Sequence, residues 1–577
     1  MKAVKNTITI LLVFLGISYV LSQTKNVEVE NAIEYFKHRN EALSLVKAKK
    51  WQGAIPILES LTLDYKNDED LFYLLGLAYY ETGQFKTAII ELKKALESGG
   101  TILTDIPTGS APSNDIMIKI AKAYAKEGDN ENALLWLQKG FVNRYDEKPF
   151  LKGDPAFKAI NERQEFQQLY GYQSQIDLSR EASWVSDIDY LKERIQELHY
   201  NPYQSMSKTD LDHKILGLKS EINSLTDKEI VVELMKIIGS LGNGHNLIIP
   251  TSPNKGALKK LPVQFYQFSD GLFIVSADTG FEKWIGYEVE FIENTTAEEA
   301  LQKTNAVNAR DNDMQTLWLA PYYLALPDVL KGIGIAENSN EVTLTLKDSK
   351  EKSQKVIMYP VSWNFSDFPR IPKLKDKEQP LFLSKTEDPY WYTLIPESNS
   401  VYVQFNVVTQ METQSLEAFN IELRRHISKS KVQYLILDLR HNHGGNGSIL
   451  PPMLKTVINF ELMHPGGNVF VLMGRETFSA AQNLLTDITK YTNAILVGEP
   501  SGSKPNHIGE AGWFKLPYSG LMGLISTQFH QTSKAEDHRK WIAPHIPVSM
   551  SSTDYFNGND KALNVILEVI KTSESKE

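Results

Sequence analysis

A period of 34 residues near the start constrains this chain more than any other feature. "KKWQGAIPILESLTLDY" and "GQFKTAIIELKKALESG" set Trp51 over Phe85, Ala54 over Ala88 and Ile55 over Ile89. Aromatic and small residues recurring at that interval mark paired helices, the small residue lying where two helices touch. A third copy, "AKAYAKEGDNENALLWLQKG", follows 45 residues after the second, so an insertion of 11 residues lies between them, around "TILTDIPTGSAPSND". Such pairs bury their apolar faces only by stacking, which creates a concave surface and no chemistry. Chemistry must come from the rest of the 577 residues.

The segment 27–172 resembles tetratricopeptide repeats, which implies a surface for a protein substrate or adaptor. Ahead of it, "MKAVKNTITILLVFLGISYVLSQ" has Lys2 and Lys5, an apolar run from Ile8 to Leu21, and a small Ser22 before polar residues. This reads as a secretory signal peptide over 1–22, too short in its apolar part for the roughly 20 residues of a membrane span. The mature chain is expected to carry no stable span. It contains no cysteine, so neither a disulfide nor a cysteine-linked lipid is possible. The expectation is bacterial-type export, to a periplasm or outside the cell. A net charge of −10 without a dense basic run argues against nucleic acid as a partner.

Residues 178–250 read as helices, with Ile230, Leu234, Ile237 and Ile238 at helical spacing before Gly242 and Gly244. From 255 to 360 the pattern changes to short β runs such as "LFIVSA" and "EVTLTLKD". Gly286, Val289 and Ile292, followed by "TAEEALQKT", resemble a degenerate PDZ module, which would extend its sheet with a peptide; a plain β-rich spacer is the alternative. The remainder, 380–577, alternates strands with helices, and "VQYLILDLR" is near-continuously apolar, as a strand covered on both faces requires. The expected architecture is therefore multidomain: helical repeats, a helical segment, a β-rich module and an α/β domain.

Within that last domain, "GRETFSAAQNLL" puts Ser479 where the strand "VFVLM" turns into a helix. The ordinary explanation is a hydroxyl capping the first turn. The neighbouring stretches point elsewhere. "LILDLRHNHGG", "TFSAAQN" and "VGEPSGSKPN", with "LGNGHN" upstream and "GNDKAL" downstream, together resemble carboxy-terminal processing serine peptidases and the tricorn core protease over roughly 180–577. That resemblance implies a crotonase-like α/β peptidase core, a peptide or protein substrate, and no cofactor. It makes Ser479 the nucleophile. A strand-to-helix turn exposes such a serine and aims helix N–H groups at the developing oxyanion, so Ala480 is the first expected donor. Gly444 and Gly445, at the end of the central strand, would bring a second N–H close to substrate. Asp438 and Arg440 read as an ion pair pinning that loop.

Two groups compete to take the serine's proton. Lys504 stands 25 residues after Ser479, at the lysine place of processing peptidases, but among Ser, Gly, Pro and Asn. A lysine base needs desolvation to lower its pKa. His245 matches the histidine of the tricorn type and needs little tuning near neutrality. His245 is therefore the expected base, with Asp537 as the orienting carboxylate and Glu510 as second choice. Two other readings stand beside this one. His441 and His443 form a His-x-His pair, but no third ligand stands at metal spacing, so no metal is expected. A peptidase-like core can also serve as a non-catalytic binding scaffold, as the resemblance to photoreceptor retinoid-binding proteins implies.

Overall fold

The computed structural model describes residues 29–101, 103, 113–143, 145, 148–169, 178–251, 255–362, 370–375, 377–465 and 469–574. The leader expected over 1–22 lies outside them. Among the described residues no helix is long and apolar enough to cross a membrane. The chain divides into two units, one of residues 1–143 with 155–160 and one of the rest.

In the first unit, consecutive helices pack in pairs: Val29–Lys47 on Trp51–Asp64, Glu69–Glu81 on Phe85–Glu97, and Ser113–Lys126 on Asn130–Val142. Ala54, Ala88 and Ala133, the small residues of the repeat, are completely buried. Gly83 and Gly128 turn the last two pairs, each at φ 80°, a left-handed backbone that favours glycine. Gly140 lets its helix approach the facing one, since a Cβ there would lie 2.6 Å from Ile118 Cδ1.

Among the described residues the second unit contains three sheets. The first combines β1 (Leu247–Ile249), β13 (Asn506–Lys515) and β14 (Met522–Gln531) in the order β1-β14-β13, all antiparallel. The helices Arg180–Leu198, Lys208–Glu221 and Asp227–Gly239 pack on it through one core containing Trp184, Ile188, Phe514 and Ile525. Capping boxes at Ser207 and Thr226 start the second and third of these helices. The buried Asp187 accepts the backbone N–H groups of Tyr518 (2.7 Å) and Ser519 (2.8 Å). The helical segment over 178–250 thus shares its interior with a hairpin more than 250 residues later.

The second sheet holds β2 (Val263–Phe268), β3 (Gly271–Ala277), β4 (Glu288–Ile292), β5 (Thr295–Thr296), β6 (Val342–Lys347) and β7 (Ser353–Met358). Its order is β2-β3-β4-β6-β7, antiparallel throughout, with β5 paired to β4. Strand β6 alternates buried and half-buried residues, and Val342, Leu344 and Leu346 join a core with the helix Asp313–Leu324.

The third sheet runs β15-β12-β11-β10-β9-β8: β8 Tyr390–Ile395, β9 Ser400–Phe405, β10 Tyr434–Asp438, β11 Val469–Met473, β12 Ile495–Gly498 and β15 Ile546–Pro547. All neighbours are parallel except the β8–β9 pair. Leu435 and Leu437 of β10 face a core with Phe419, Val457 and Leu484 from three helices, while Ile436 faces Leu563, Ile566 and Ile570 of the helix Lys561–Glu574. Both faces are covered, which explains the unbroken apolar run of this strand. The parallel strands end side by side, and their loops build the site.

Candidate active site

Ser479 directly follows this loop region and precedes the helix Ala480–Tyr491. Its backbone sits at φ 53°, ψ −123°, and its side chain makes no capping hydrogen bond. A non-glycine residue held there costs on the order of 1–3 kcal/mol and persists only where its surroundings impose it. The surroundings here are specific. Phe478 N–H donates to Asn442 O (3.1 Å), and Thr477 Oγ1 donates to Leu439 O (3.0 Å). The buried Arg475 forks onto Glu499 at 2.7 and 2.6 Å and reaches the carbonyls of Gln267 and Leu317. The serine is therefore not a cap. It is a strained elbow clamped by loops from β10 and β12.

Asp438, at the end of β10, and Asp560 together saturate Arg440, with contacts of 2.6 to 3.1 Å, and the Tyr402 hydroxyl donates to Asp438 at 2.6 Å. This anchors the loop carrying Gly444 and Gly445. A Cβ on Gly444 would lie 2.6 Å from Ser479 Cβ and 2.8 Å from Ala480 N, and one on Gly445 would lie 2.3 Å from Val408 O. Both glycines have positive φ, 97° and 131°. Their roles differ from expectation in one respect. The Gly444 N–H already donates to Asn442 Oδ1 (3.0 Å), so Gly444 supplies close approach rather than a free donor. Among the described residues, the N–H groups of Ala480 and Gly445 have no acceptor, which leaves them as the pair open to an oxyanion.

His245 arrives from the loop after the helix Asp227–Gly239. Its ring stacks on Phe478, the residue before the serine, with centroids 4.3 Å apart and planes 25° apart. Neither ring nitrogen has a hydrogen-bond partner among the described residues. Burial, reinforced by His507 and His530, holds its pKa well below the ordinary histidine value, so the ring is a neutral imidazole. Trp318 packs on the other members of this group, 5.7 Å from Phe478 and 4.8 Å from His443. His443 donates from Nε2 to the buried Glu476 at 2.8 Å. Burial works to raise the Glu476 carboxyl, but the His443 hydrogen bond and the His441 ring, 3.8 Å away, outweigh it and leave the group well below the usual range.

Asp537 does not meet His245. Arg539, two residues on, takes both of its oxygens at 2.7 to 3.2 Å. The second choice, Glu510, lies 3.6 Å from His530 Nε2 instead. Lys504 neighbours a different carboxylate. Asp311 is buried, accepts the Gly244 N–H (3.3 Å), and is raised to about 6 by burial, against the opposing effects of that N–H, the Lys504 charge and Ser503. Ser503 Oγ in turn accepts the Ser479 N–H at 3.4 Å. Asp311 and Trp318 escaped the sequence reading because the loop and the helix Asp313–Leu324 that carry them lie outside every motif stretch, while Glu476 and Ser503 sit inside quoted stretches whose signal fell on Ser479 and Lys504. A cavity of about 70 Å³ adjoins the elbow at Arg440, His441, Arg475 and Glu476, with neither Ser479 nor His245 on its wall. Among the described residues no cluster of three or more acidic or histidine side chains is arranged to hold a metal.

No protein-family model matches the chain, and no curated protein does either. Solved structures do. Mature CPAF complexed with lactacystin aligns over 69% of this chain and 99% of its own, at 12% identity and a TM-score of 0.50. The photosystem II D1 C-terminal processing protease aligns over 67% and 99% at 10% identity and TM-score 0.30, and the tricorn protease over 68% and 37% at 11% and 0.32. The structural neighbours are thus serine peptidases of the processing and tricorn type. The fold of the chain is similar to that of mature CPAF; at this identity the likeness concerns the fold alone.

Proposed function

We propose that this protein is an exported serine endopeptidase that acts through an acyl-enzyme on Ser479. The observation that carries the reading is the strained, uncapped Ser479, with two open N–H groups nearby and a buried neutral imidazole stacked on the preceding Phe478. Ser479 Oγ attacks the scissile carbonyl while its proton passes to a ring nitrogen of His245. Ala480 and Gly445 N–H receive the oxyanion, and the protonated ring then gives its proton to the leaving amine. Water repeats the sequence to release the acyl group. The His245–Ser479 hydrogen bond forms when substrate arrives, as catalytic contacts often tighten only in the complex.

In this reading the repeats over 27–172 are tetratricopeptide-like and hold a protein substrate or adaptor, and the β-rich module over 255–360 is PDZ-like. The leader over 1–22 directs export. The decisive experiment is labelling with a fluorophosphonate probe, expected in the native protein and lost in Ser479→Ala. A native protein that does not label overturns the enzyme in favour of a binding scaffold. Activity lost in Lys504→Ala and kept in His245→Ala would instead establish a Ser479–Lys504 dyad.

A further inference from the structure

His245 belongs to a longer array of rings. His507 of β13 lies parallel to it, with planes 5° apart and centroids 5.7 Å apart, and His530 of β14 follows at 5.2 Å and 25°. His507 and His530 are directly opposite each other across the β13–β14 pair. With Phe478 also stacked on His245, four rings are linked in sequence, and the two histidine–histidine separations lie within the range at which offset stacking stabilises aromatic pairs. Gly509 makes room for the array. A Cβ on it would lie 3.1 Å from His245 Cε1 and 3.2 Å from the Cδ2 atoms of both His507 and His530.

We propose that stacking on His507, in place of an orienting carboxylate, holds the imidazole of His245 in register with Ser479, making His507 a positioning residue. This rests on the reading of Ser479 and His245 as nucleophile and base. Both nitrogens of His245 lack partners among the described residues, while Asp537 is occupied by Arg539 and Glu510 faces His530. The buried His507 ring is fixed in its own plane, because Nδ1–H donates to Lys504 O at 3.2 Å. Burial lowers its pKa to about 3, with His530 adding to the effect, so it remains a neutral surface beside the base. A neutral plate fixes the ring's tilt and position, yet leaves both ring nitrogens open to a proton.

The test compares the native chain with His507→Ala, His507→Phe and Gly509→Ala, by fluorophosphonate labelling of Ser479 and by kcat and KM on a peptide substrate. A displacement of about 1 Å at a reacting group can cost roughly 10²-fold. His507→Ala is therefore expected to lower kcat and the labelling rate by roughly 10 to 100-fold with KM within about twofold. His507→Phe, which restores a ring without its nitrogens, is expected to recover activity to within about threefold. Should His507→Ala fail to fold, Gly509→Ala gives the same readout by wedging a methyl against the His245 edge. Labelling at the native rate in the alanine variants overturns the proposal, as does a phenylalanine variant no better than alanine. A native chain that never labels overturns the peptidase reading itself, which is a separate outcome.

Discussion

The two halves of the site are held by different means. The nucleophile half stands on parallel strands, and its loops are tied by hydrogen bonds and two guanidinium–carboxylate clamps, Arg440 with Asp438 and Asp560, and Arg475 with Glu499. The base half gathers His245, Asp311 and His507 from three distant stretches, and rings rather than hydrogen bonds hold its central group. The first arrangement stores backbone strain at Ser479 and cannot drift. The second fixes a plane but leaves both ring nitrogens of His245 without a hydrogen-bond partner among the described residues. Under the proposed mechanism, preorganisation would be complete on the Ser479 side and partial on the His245 side.

Breaking the nucleophile half should have the largest effect. Ser479→Ala is expected to abolish fluorophosphonate labelling and lower peptide hydrolysis by about 10⁶-fold, measured as kcat/KM. His245→Ala should follow at several orders of magnitude, with Lys504→Ala costing less than about tenfold; equal losses would erase the distinction between the two candidate bases. Gly444→Ala forces a methyl to within 2.6 Å of Ser479 Cβ at a φ of 97°, and roughly 10²- to 10³-fold should be lost in kcat.

Asp311 tests the base half through stability. Its folded pKa, about 6, lies above the usual aspartate value, so the folded state binds its proton more tightly than the unfolded chain. This contribution is full below about pH 4 and disappears as pH rises through 6, a loss of up to about 3 kcal/mol at about 1.4 kcal/mol per pKa unit. Thermal melts from pH 4 to 7.5 should therefore show a declining component that Asp311→Asn removes, since the amide oxygen can still accept the Gly244 N–H. A slope unchanged in that variant would place the titration elsewhere. The smallest effect is expected from Asp537→Ala, within about threefold on kcat, because a half-exposed Arg539 is its partner and exposed pairs contribute little.

The strands of the central sheet were readable because burial on both faces leaves an unmistakable apolar run, as in Leu435 to Leu437. Ser479 was singled out through its neighbouring motifs, but its backbone strain was not legible, since the short stretch "TFSAA" fits a cap and an elbow equally well. The hairpin β13–β14 was not. "NHIGEAGWFK" is broken by Gly509 and Gly512, and those glycines exist to admit His245 and Thr527, contacts that no local pattern encodes. His507 and His530 stand 23 positions apart, and only strand register sets them face to face. The carboxylate expected near His245 was misplaced for a related reason: an adjacent arginine captures Asp537 locally.

One consequence follows from the tie between Arg440 and Asp560. The two residues are separated by 120 positions, and the guanidinium that steadies the Gly444 loop is held by Asp438 alone until the later carboxylate takes its remaining N–H groups. During synthesis the ribosome delivers Ser479 and His245 well before Asp560. A nascent chain would therefore carry Ser479 and His245 before the second carboxylate that fastens the Gly444 loop to Arg440.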